Sequence, residues 1–90
     1  MGHRWMMDFS DALRQIKLGY AVTRDGWNGP HQTVQMQKPD SHSKMTLPYI
    51  YIKTVQGDLV PWLASQTDLL STDWLIAEDK VAGYPENLDA

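Results

Sequence analysis

Residues 49–52, at the start of the extended segment 49–55, alternate aromatic and aliphatic side chains, and this alternation restricts the folds open to the chain more than any other feature. The two tyrosines of the segment would lie on one face of a β-strand, and Ile50 and Ile52 on the other. β-Branched and aromatic residues favour strands, and the segment has no helical period. We therefore expect a strand whose aliphatic face meets a helix, and whose aromatic face meets solvent, a second subunit or a ligand.

A partner helix is predicted near the N-terminus. Its apolar residues recur at positions i, i+3, i+4 and i+7 and form one stripe, made by Phe9, Ala12, Leu13 and Ile16. Asp8 suits the N-cap, and Gly19 suits the position just after the helix. An amphipathic helix is therefore expected over residues 8–18.

Turn-forming residues divide the remainder of the chain into short extended segments. Strands are predicted over residues 20–24, 33–38, 49–55, 59–62 and 73–77. Pro61 lacks an amide proton, so it indicates an edge position or the end of its strand. Ser65, with Asp68 three residues later, predicts the start of a short helix that runs through Leu70. These elements predict an α+β fold: an N-terminal helix packs on a small antiparallel β-sheet, and a short helix precedes the last strand.

The chain has 90 residues, which is the size of one small domain. That domain is expected over residues 8–78, between an N-terminal extension of residues 1–7 and a C-terminal tail of residues 79–90. A domain this small buries about two-thirds of the surface that its unfolded chain exposes, so its stability is expected to be marginal. Oligomerisation is a common remedy, and a sheet with an apolar face and an aromatic face also favours an oligomer.

The charge balance argues against one class of partner. Lys and Arg number 8 against 11 Asp and Glu, a formal net charge of −3, whereas proteins that bind nucleic-acid polymers usually carry a basic patch. No apolar run is long enough for a membrane span, and the N-terminus lacks the apolar core of a signal peptide. The absence of cysteine fits a reducing compartment, so a cytoplasmic protein is expected.

No set of residues in the sequence supports catalysis or metal binding. The histidines, His3, His31 and His42, are far apart and lie in regions predicted as terminus, turn or loop, so no metal site is expected. No nucleophile motif is present, and neither catalytic residues nor a cofactor are expected. Asp68 and Asp73 could form a carboxylate pair, but nothing in the sequence places them together, and capping and solvation explain them better.

The tryptophans leave two interpretations open. Trp27 lies between two turn signals and is expected to be partly exposed unless another group covers it. Trp62 follows a proline, and Trp74 lies between Asp73 and an apolar strand. Large flat rings beside small polar residues suit the stacking of a nucleobase. They also suit core packing or a subunit interface, and spacing alone favours these two roles over ligand stacking.

Four motifs together resemble the Thoeris anti-defence 2 family of phage proteins. They are the helix FxxALxxIKxG, the turn DGWNG, the strand PYIYIKT and the block GDLVPWLASQTDLLSTDW. The resemblance extends over residues 9–76, and the strand and the block are its most specific parts. It implies a protein that is not an enzyme and that binds the cyclic nucleotide signals of bacterial immunity.

The resemblance also implies what is bound and how. The expected ligands are the cyclic ADP-ribose isomers of Thoeris defence, and for some members the cyclic di- and trinucleotides of CBASS defence. The signal is held intact in the cytoplasm of the infected bacterium, in pockets between the subunits of a homotetramer. Two alternatives stay open: a hydrolase of the same signals, and a structural domain whose aromatic residues only build an oligomer.

Specific residues are implied by matching motifs. Trp27 would stack on a base, Asn28 would read a base or ribose edge, and Trp74 would be a second stacking or wall residue. Arg24 and Lys53 are the cations best placed for phosphate. The complete expected ligand-binding set is Phe9, Arg24, Trp27, Asn28, Tyr49, Tyr51, Trp62, Ser65, Gln66, Thr67, Asp68 and Trp74.

Overall fold

The computed structural model describes residues 6–27 and 31–78 of the chain, apart from the side chain of Glu78. In chain order the elements are α1 (Phe9–Lys17), β1 (Ala21–Arg24), β2 (Thr33–Gln37), β3 (Tyr49–Lys53), β4 (Leu59–Pro61), α2 (Gln66–Leu70) and β5 (Trp74–Glu78). This order confirms the predicted α+β fold, and the predicted bounds differ from the observed ones by no more than two residues at either end. Neither helix of the described part has the length and apolar character that crossing a membrane requires.

The start of the folded core can be located from backbone pairing. Met7, predicted to lie in the N-terminal extension, is buried among the core residues. Its N–H donates to the carbonyl of Trp74 at 2.8 Å, and the N–H of Trp74 donates back at 3.1 Å. The core therefore includes Met7. The predicted tail of residues 79–90 lies outside the described residues.

The strands form one antiparallel sheet in the order β4-β3-β2-β1-β5. Pro61 lies in β4, which is an edge strand of the sheet. Its missing amide proton therefore interrupts no hydrogen bonding to a further strand. This position confirms the edge prediction. The register pairs Val22 with Val34, and Val34 with Ile52. A row of aliphatic side chains therefore crosses three strands on one face of the sheet.

Helix α1 covers that aliphatic face. The Asp8 side chain caps its N-terminus by accepting the Asp11 N–H at 3.0 Å, and Gly19 ends it in the left-handed region with φ 101°. Ala12 and Ile16 are fully buried and belong to the core. Because full burial of an aliphatic side chain such as Ile16 stabilises by about 1.5–3 kcal/mol, the apolar stripe fixes the helix to the sheet.

The two faces of the sheet carry different side chains. The face that α1 covers (the helix face) buries Val22, and Ile50 and Ile52 pack against the same core. The opposite face (the open face) carries the alternate positions, among them Tyr51, whose hydroxyl donates to Gln35 Oε1 at 2.6 Å. The predicted separation of an aliphatic face from an aromatic face is therefore confirmed.

Candidate functional site

Four aromatic rings gather at one end of the helix face and form the aromatic cluster: Phe9, Trp27, Trp62 and Trp74. Trp74 lies at its centre with 0% of its surface exposed. The ring centroids of Phe9 and Trp27 lie 5.4 Å from that of Trp74, and the centroid of Trp62 lies 5.9 Å from it. Trp27 and Trp62 meet Trp74 edge to face, which is a favoured geometry for aromatic pairs. Only the three outer rings, each half-buried, keep surface that a ligand could reach.

An arginine holds two aspartates together beside these rings. The guanidinium of Arg24 donates from Nε to Asp73 Oδ1 at 2.8 Å and from Nη1 to Asp68 Oδ1 at 2.9 Å. These three residues form the arginine network, whose side chains are at most 24% exposed. No local pattern in the sequence places Asp68 and Asp73 together, and the structure joins them through Arg24. Two carboxylates and one guanidinium leave the network with one net negative charge.

Asp68 connects the network to both the aromatic cluster and α2. Its side chain and that of Ser65 form a reciprocal capping box at the start of α2, which confirms the predicted cap. Its Oδ1 also accepts the indole N–H of Trp27 at 3.1 Å, and its backbone carbonyl accepts the indole N–H of Trp74 at 3.0 Å. A single residue therefore fixes the orientation of two tryptophans.

The turn before Trp27 depends on a glycine. The backbone N–H of Gly26 donates to Asp73 Oδ2 at 2.8 Å. A Cβ at this position would lie 2.9 Å from Asp73 Oδ2 and 3.3 Å from Arg24 Nη2, which is too close without displacing the network. Glycine therefore allows the turn to approach the arginine network and to present Trp27 next to it.

The charges of the network stabilise one another. Hydrogen bonds to Asp73 raise the pKa of Arg24 despite partial burial. Donation from Arg24, with a further N–H from Gly26, lowers the pKa of Asp73. Burial alone would raise the pKa of Asp68, but the donors on Trp27 and Arg24 outweigh it and the pKa lies below its usual range. The network therefore stays ionised at neutral pH, and Arg24 is already engaged by two carboxylates.

The structure separates the predicted binding residues into groups. The aromatic cluster and the arginine network bring together Phe9, Arg24, Trp27, Trp62, Asp68 and Trp74. Ser65, Gln66 and Thr67 lie exposed at the start of α2, next to Asp68. Asn28 lies outside the described residues.

The two tyrosines of the predicted set lie elsewhere. Tyr49 and Tyr51 are on the open face, where they line a shallow depression of about 160 Å³ with Met45 and Pro61. Tyr51 is half-buried and donates to Gln35, while Tyr49 is exposed. One subunit therefore does not place the tyrosines and the aromatic cluster in a single pocket.

The open face also contains a groove that sequence reasoning missed. It has a volume of about 430 Å³ and is lined by Thr23, His31, Gln32, Thr33, Lys53 and residues 75–77 of β5. Alternation in β1 and β2 could have placed both threonines on this face, because Val22 and Val34 point to the core. Only the strand register brings them next to Lys53, which was the one residue of the groove predicted to bind an anion.

Metal ligands are not grouped in the part of the chain that the structure describes. Among residues 6–27 and 31–78, no three His, Asp or Glu side chains lie close enough to hold a metal ion. The acidic side chains of the site are instead used by Arg24, by Trp27 and by backbone N–H groups. The site is therefore an aromatic surface whose orientation is fixed by hydrogen bonds to the arginine network.

Comparison with known proteins identifies the family. Residues 7–77 match the model of the Thoeris anti-defense 2-like (Tad2-like) domain. The chain belongs to this family. It is also 31% identical over 81 residues to "Thoeris anti-defense 2" of Bacillus phage SP01, covering 76% of this chain and 91% of that protein. The match contains the aromatic cluster, the arginine network and the groove, and membership supports a role in phage anti-defence.

Proposed function

We propose that this protein is a phage anti-defence sponge, which binds cyclic nucleotide immune signals and holds them intact. The observation that carries the proposal is the family match over residues 7–77, which contains every described element of the fold except the last residue of β5. The ligands that we propose are cyclic ADP-ribose isomers of Thoeris defence, and then cyclic di- or trinucleotides of CBASS defence. The protein acts in the cytoplasm of the infected bacterium and lowers the free concentration of the signal without consuming it.

The aromatic cluster supplies the chemistry for bases. Phe9, Trp27 and Trp62 are half-buried, so each presents part of its ring to solvent while the rest is held by packing. Stacking of one base on an aromatic side chain contributes about 1–3 kcal/mol. Trp27 is the first stacking residue in this proposal, because it is both partly open and fixed by Asp68. Trp74 supports the outer rings from the core and does not itself touch the ligand.

Polar groups for the ribose lie beside these rings. Ser65, Gln66 and Thr67 are exposed at the first turn of α2, adjacent to the residue that holds Trp27. Hydroxyl and amide groups both donate and accept hydrogen bonds, as ribose hydroxyls do. We assign the ribose contacts to this turn.

The phosphates of the ligand need a different source of charge. Arg24 already binds Asp68 and Asp73, and the network carries net negative charge, so it does not favour a diphosphate. Cations from a neighbouring subunit would provide the missing charge. This requirement agrees with the proposal that each pocket forms between two subunits.

Exposed apolar side chains support an oligomer, which we propose to be a homotetramer. Leu63 is 92% exposed and Leu70 is 80% exposed, on either side of α2. Leu47, which precedes β3, and Leu59, in the edge strand β4, are likewise exposed. Clusters of exposed large apolar residues mark interaction surfaces in small proteins, because leaving them in water is unfavourable. A subunit docked near α2 would also enclose the rim of the aromatic cluster.

The proposal is tested by ligand recovery. The purified protein is titrated with cyclic ADP-ribose isomers and with cyclic di- and trinucleotides, and bound ligand is then released by heating and analysed by mass spectrometry. The expected result is tight binding and recovery of unaltered ligand. Recovery of a cleaved product, increasing with time under excess ligand, would instead identify a hydrolase.

A substitution separates ligand binding from assembly. Trp27→Ala removes the proposed stacking surface, so we expect the oligomer to persist in light scattering while ligand binding falls at least about tenfold. Trp27→Phe is the matched control, since it keeps an aromatic ring, smaller than the indole, and removes the N–H that donates to Asp68; we expect it to bind more tightly than Trp27→Ala. Loss of the oligomer in Trp27→Ala, with no nucleotide bound by the wild type, would indicate a purely structural domain.

A further inference from the structure

The groove on the open face contains a row of side chains from four adjacent strands. Leu75 in β5 pairs with Thr23 in β1, and Thr33 in β2 pairs with Lys53 in β3. The antiparallel pairing of Val22 with Val34 places Thr23 opposite Thr33, so the two pairs continue one another. The result is a strip with an apolar end, two hydroxyls and an ammonium group.

One hydroxyl in this strip lacks a hydrogen-bond partner. Thr33 is only 5% exposed, and its Oγ1 is buried with no hydrogen-bond partner among residues 6–27 and 31–78. Buried polar atoms without partners are uncommon in native proteins, and each one calls for an explanation. Thr33 lines the groove, so rotation of its side chain to another staggered position would present the hydroxyl to an acceptor atom of a bound molecule, which would supply the missing partner.

The residues around Thr33 indicate the charge of the molecule that would bind there. Lys53 is exposed and has no ion-pair partner among the described residues, and none of the described side chains that line the groove is acidic. The imidazole of His31 lies at the same groove and has at least one N–H when neutral. His31 has a left-handed backbone with φ 66°, a conformation that few residues other than glycine adopt. The donors and the single cation favour an anion.

We propose that this groove binds the phosphate group of a small ligand. Lys53 neutralises the phosphate, and the hydroxyl of Thr33 donates to a phosphate oxygen, with Thr23 and His31 as further donors. Leu75 provides an apolar wall for the remainder of the molecule. The volume of about 430 Å³ lies within the range of about 300–1,000 Å³ that is usual for small-molecule sites. The site lies on the opposite face from the aromatic cluster, so it does not depend on the proposed function.

Two probes test the site and distinguish the possible sources of the phosphate. The wild-type protein is titrated calorimetrically with inorganic pyrophosphate and with adenosine monophosphate. Binding of pyrophosphate with equal or higher affinity indicates a site for free phosphate groups. Tighter binding of the nucleotide that persists in Trp27→Ala, which lacks the proposed base-stacking ring, indicates that the apolar wall contacts a nucleoside. Absence of binding of both probes at millimolar concentration would overturn the proposal.

Three variants show whether the groove is responsible. Lys53→Met removes the cation from an exposed position, and Thr33→Val removes the hydroxyl with little change in shape. Each should weaken probe binding at least about tenfold, as loss of a charge-assisted hydrogen bond does. Lys44→Met is the matched control, because it removes the same charge from an exposed loop outside the groove. Equal losses in the control and in Lys53→Met would contradict the proposal.

The same titration in Trp27→Ala separates this site from the proposed sponge pocket. That variant should bind pyrophosphate as the wild type does, because Trp27 lies on the helix face. Loss of pyrophosphate binding in folded Trp27→Ala would show that there is one shared site and would contradict a separate groove.

Discussion

The helix face and the open face of the same sheet differ in how completely their polar and charged side chains are paired within the protein. On the helix face, Trp74 is fully buried, and the polar groups beside it are joined in the arginine network. On the open face, Thr33 Oγ1 is buried without a partner, and Lys53 has no ion pair among the described residues. The comparison indicates that the helix face determines stability, whereas the open face has groups available for a ligand.

The difference also shows why charged residues must be interpreted with their partners. Arg24 and Lys53 were both expected to bind phosphate. Arg24 instead links Asp68 with Asp73 and thereby positions Trp27. Lys53 keeps its charge available on the opposite face. A guanidinium satisfied by two carboxylates contributes to structure, and an unpaired ammonium contributes to binding.

The largest effect is expected from Trp74→Ala. Truncating a fully buried aromatic residue should reduce the free energy of unfolding by about 3–5 kcal/mol, because the site loses burial and leaves a cavity. Tyr49→Ala, on the open face, is the control and should cost about 1 kcal/mol or less. Urea denaturation measures both values. Comparable losses would contradict the assignment of stability to the helix face.

Asp68→Ala is expected to have the next largest effect. It removes the capping box of α2 and leaves the donors of Arg24 and Trp27 without their acceptor. The free energy of unfolding should fall by about 2–3 kcal/mol. Asp58→Ala, in the exposed hairpin turn, should change it by about 0.5 kcal/mol or less. Thermal unfolding measures both values.

A smaller effect is expected from acid. The pKa of Asp73 is lowered by folding, so its stabilisation is complete above the unfolded-state pKa and is lost as the pH falls through the folded-state value. The free energy of unfolding should therefore decrease below about pH 4, near the ordinary aspartate pKa. The difference between the wild type and Asp73→Asn, about 1–2 kcal/mol at pH 7, should shrink towards pH 2. A difference that is independent of pH would show that Asp73 acts through shape and not through charge.

The smallest effect, with the opposite sign, is expected from Thr33→Val. Removing a buried hydroxyl that has no partner should leave stability unchanged or raise it by up to about 1 kcal/mol. Thr54→Val provides the contrast: its hydroxyl accepts the Asp58 N–H at 3.1 Å, so its loss should destabilise the protein. Differential scanning calorimetry compares the two. A clear loss of stability in Thr33→Val would mean that the hydroxyl is satisfied in the absence of ligand.

Local patterns were sufficient for most of the fold. The apolar stripe that includes Ala12 and Ile16 predicted α1, and Ser65 with Asp68 predicted the cap of α2. The alternation around Ile50 predicted which side of β3 faces the helix. These features depend on residues a few positions apart, whose relative geometry is fixed by helix or strand periodicity.

The composition of the candidate site depended on longer-range geometry. The sequence predicted twelve binding residues as one set, but Tyr49 and Tyr51 lie on the open face, and Trp74 is closed off in the core. Whether a tryptophan packs or binds depends on what covers it. Strand periodicity predicts which face of the sheet a side chain lies on, but it does not predict which other residues pack over that side chain.

The elements, their order and the two contrasting faces of β3 follow from the sequence alone, because periodicity and capping act within single elements. The roles of the charged groups follow from the tertiary structure. Arg24 meets Asp68 and Asp73 across 44 and 49 positions of chain, and only the pairing of β1 with β5 and the placement of α2 bring them together. The register between β2 and β3 likewise sets Thr33 beside Lys53. Contacts between distant residues depend on the packing of whole elements, which no local pattern specifies.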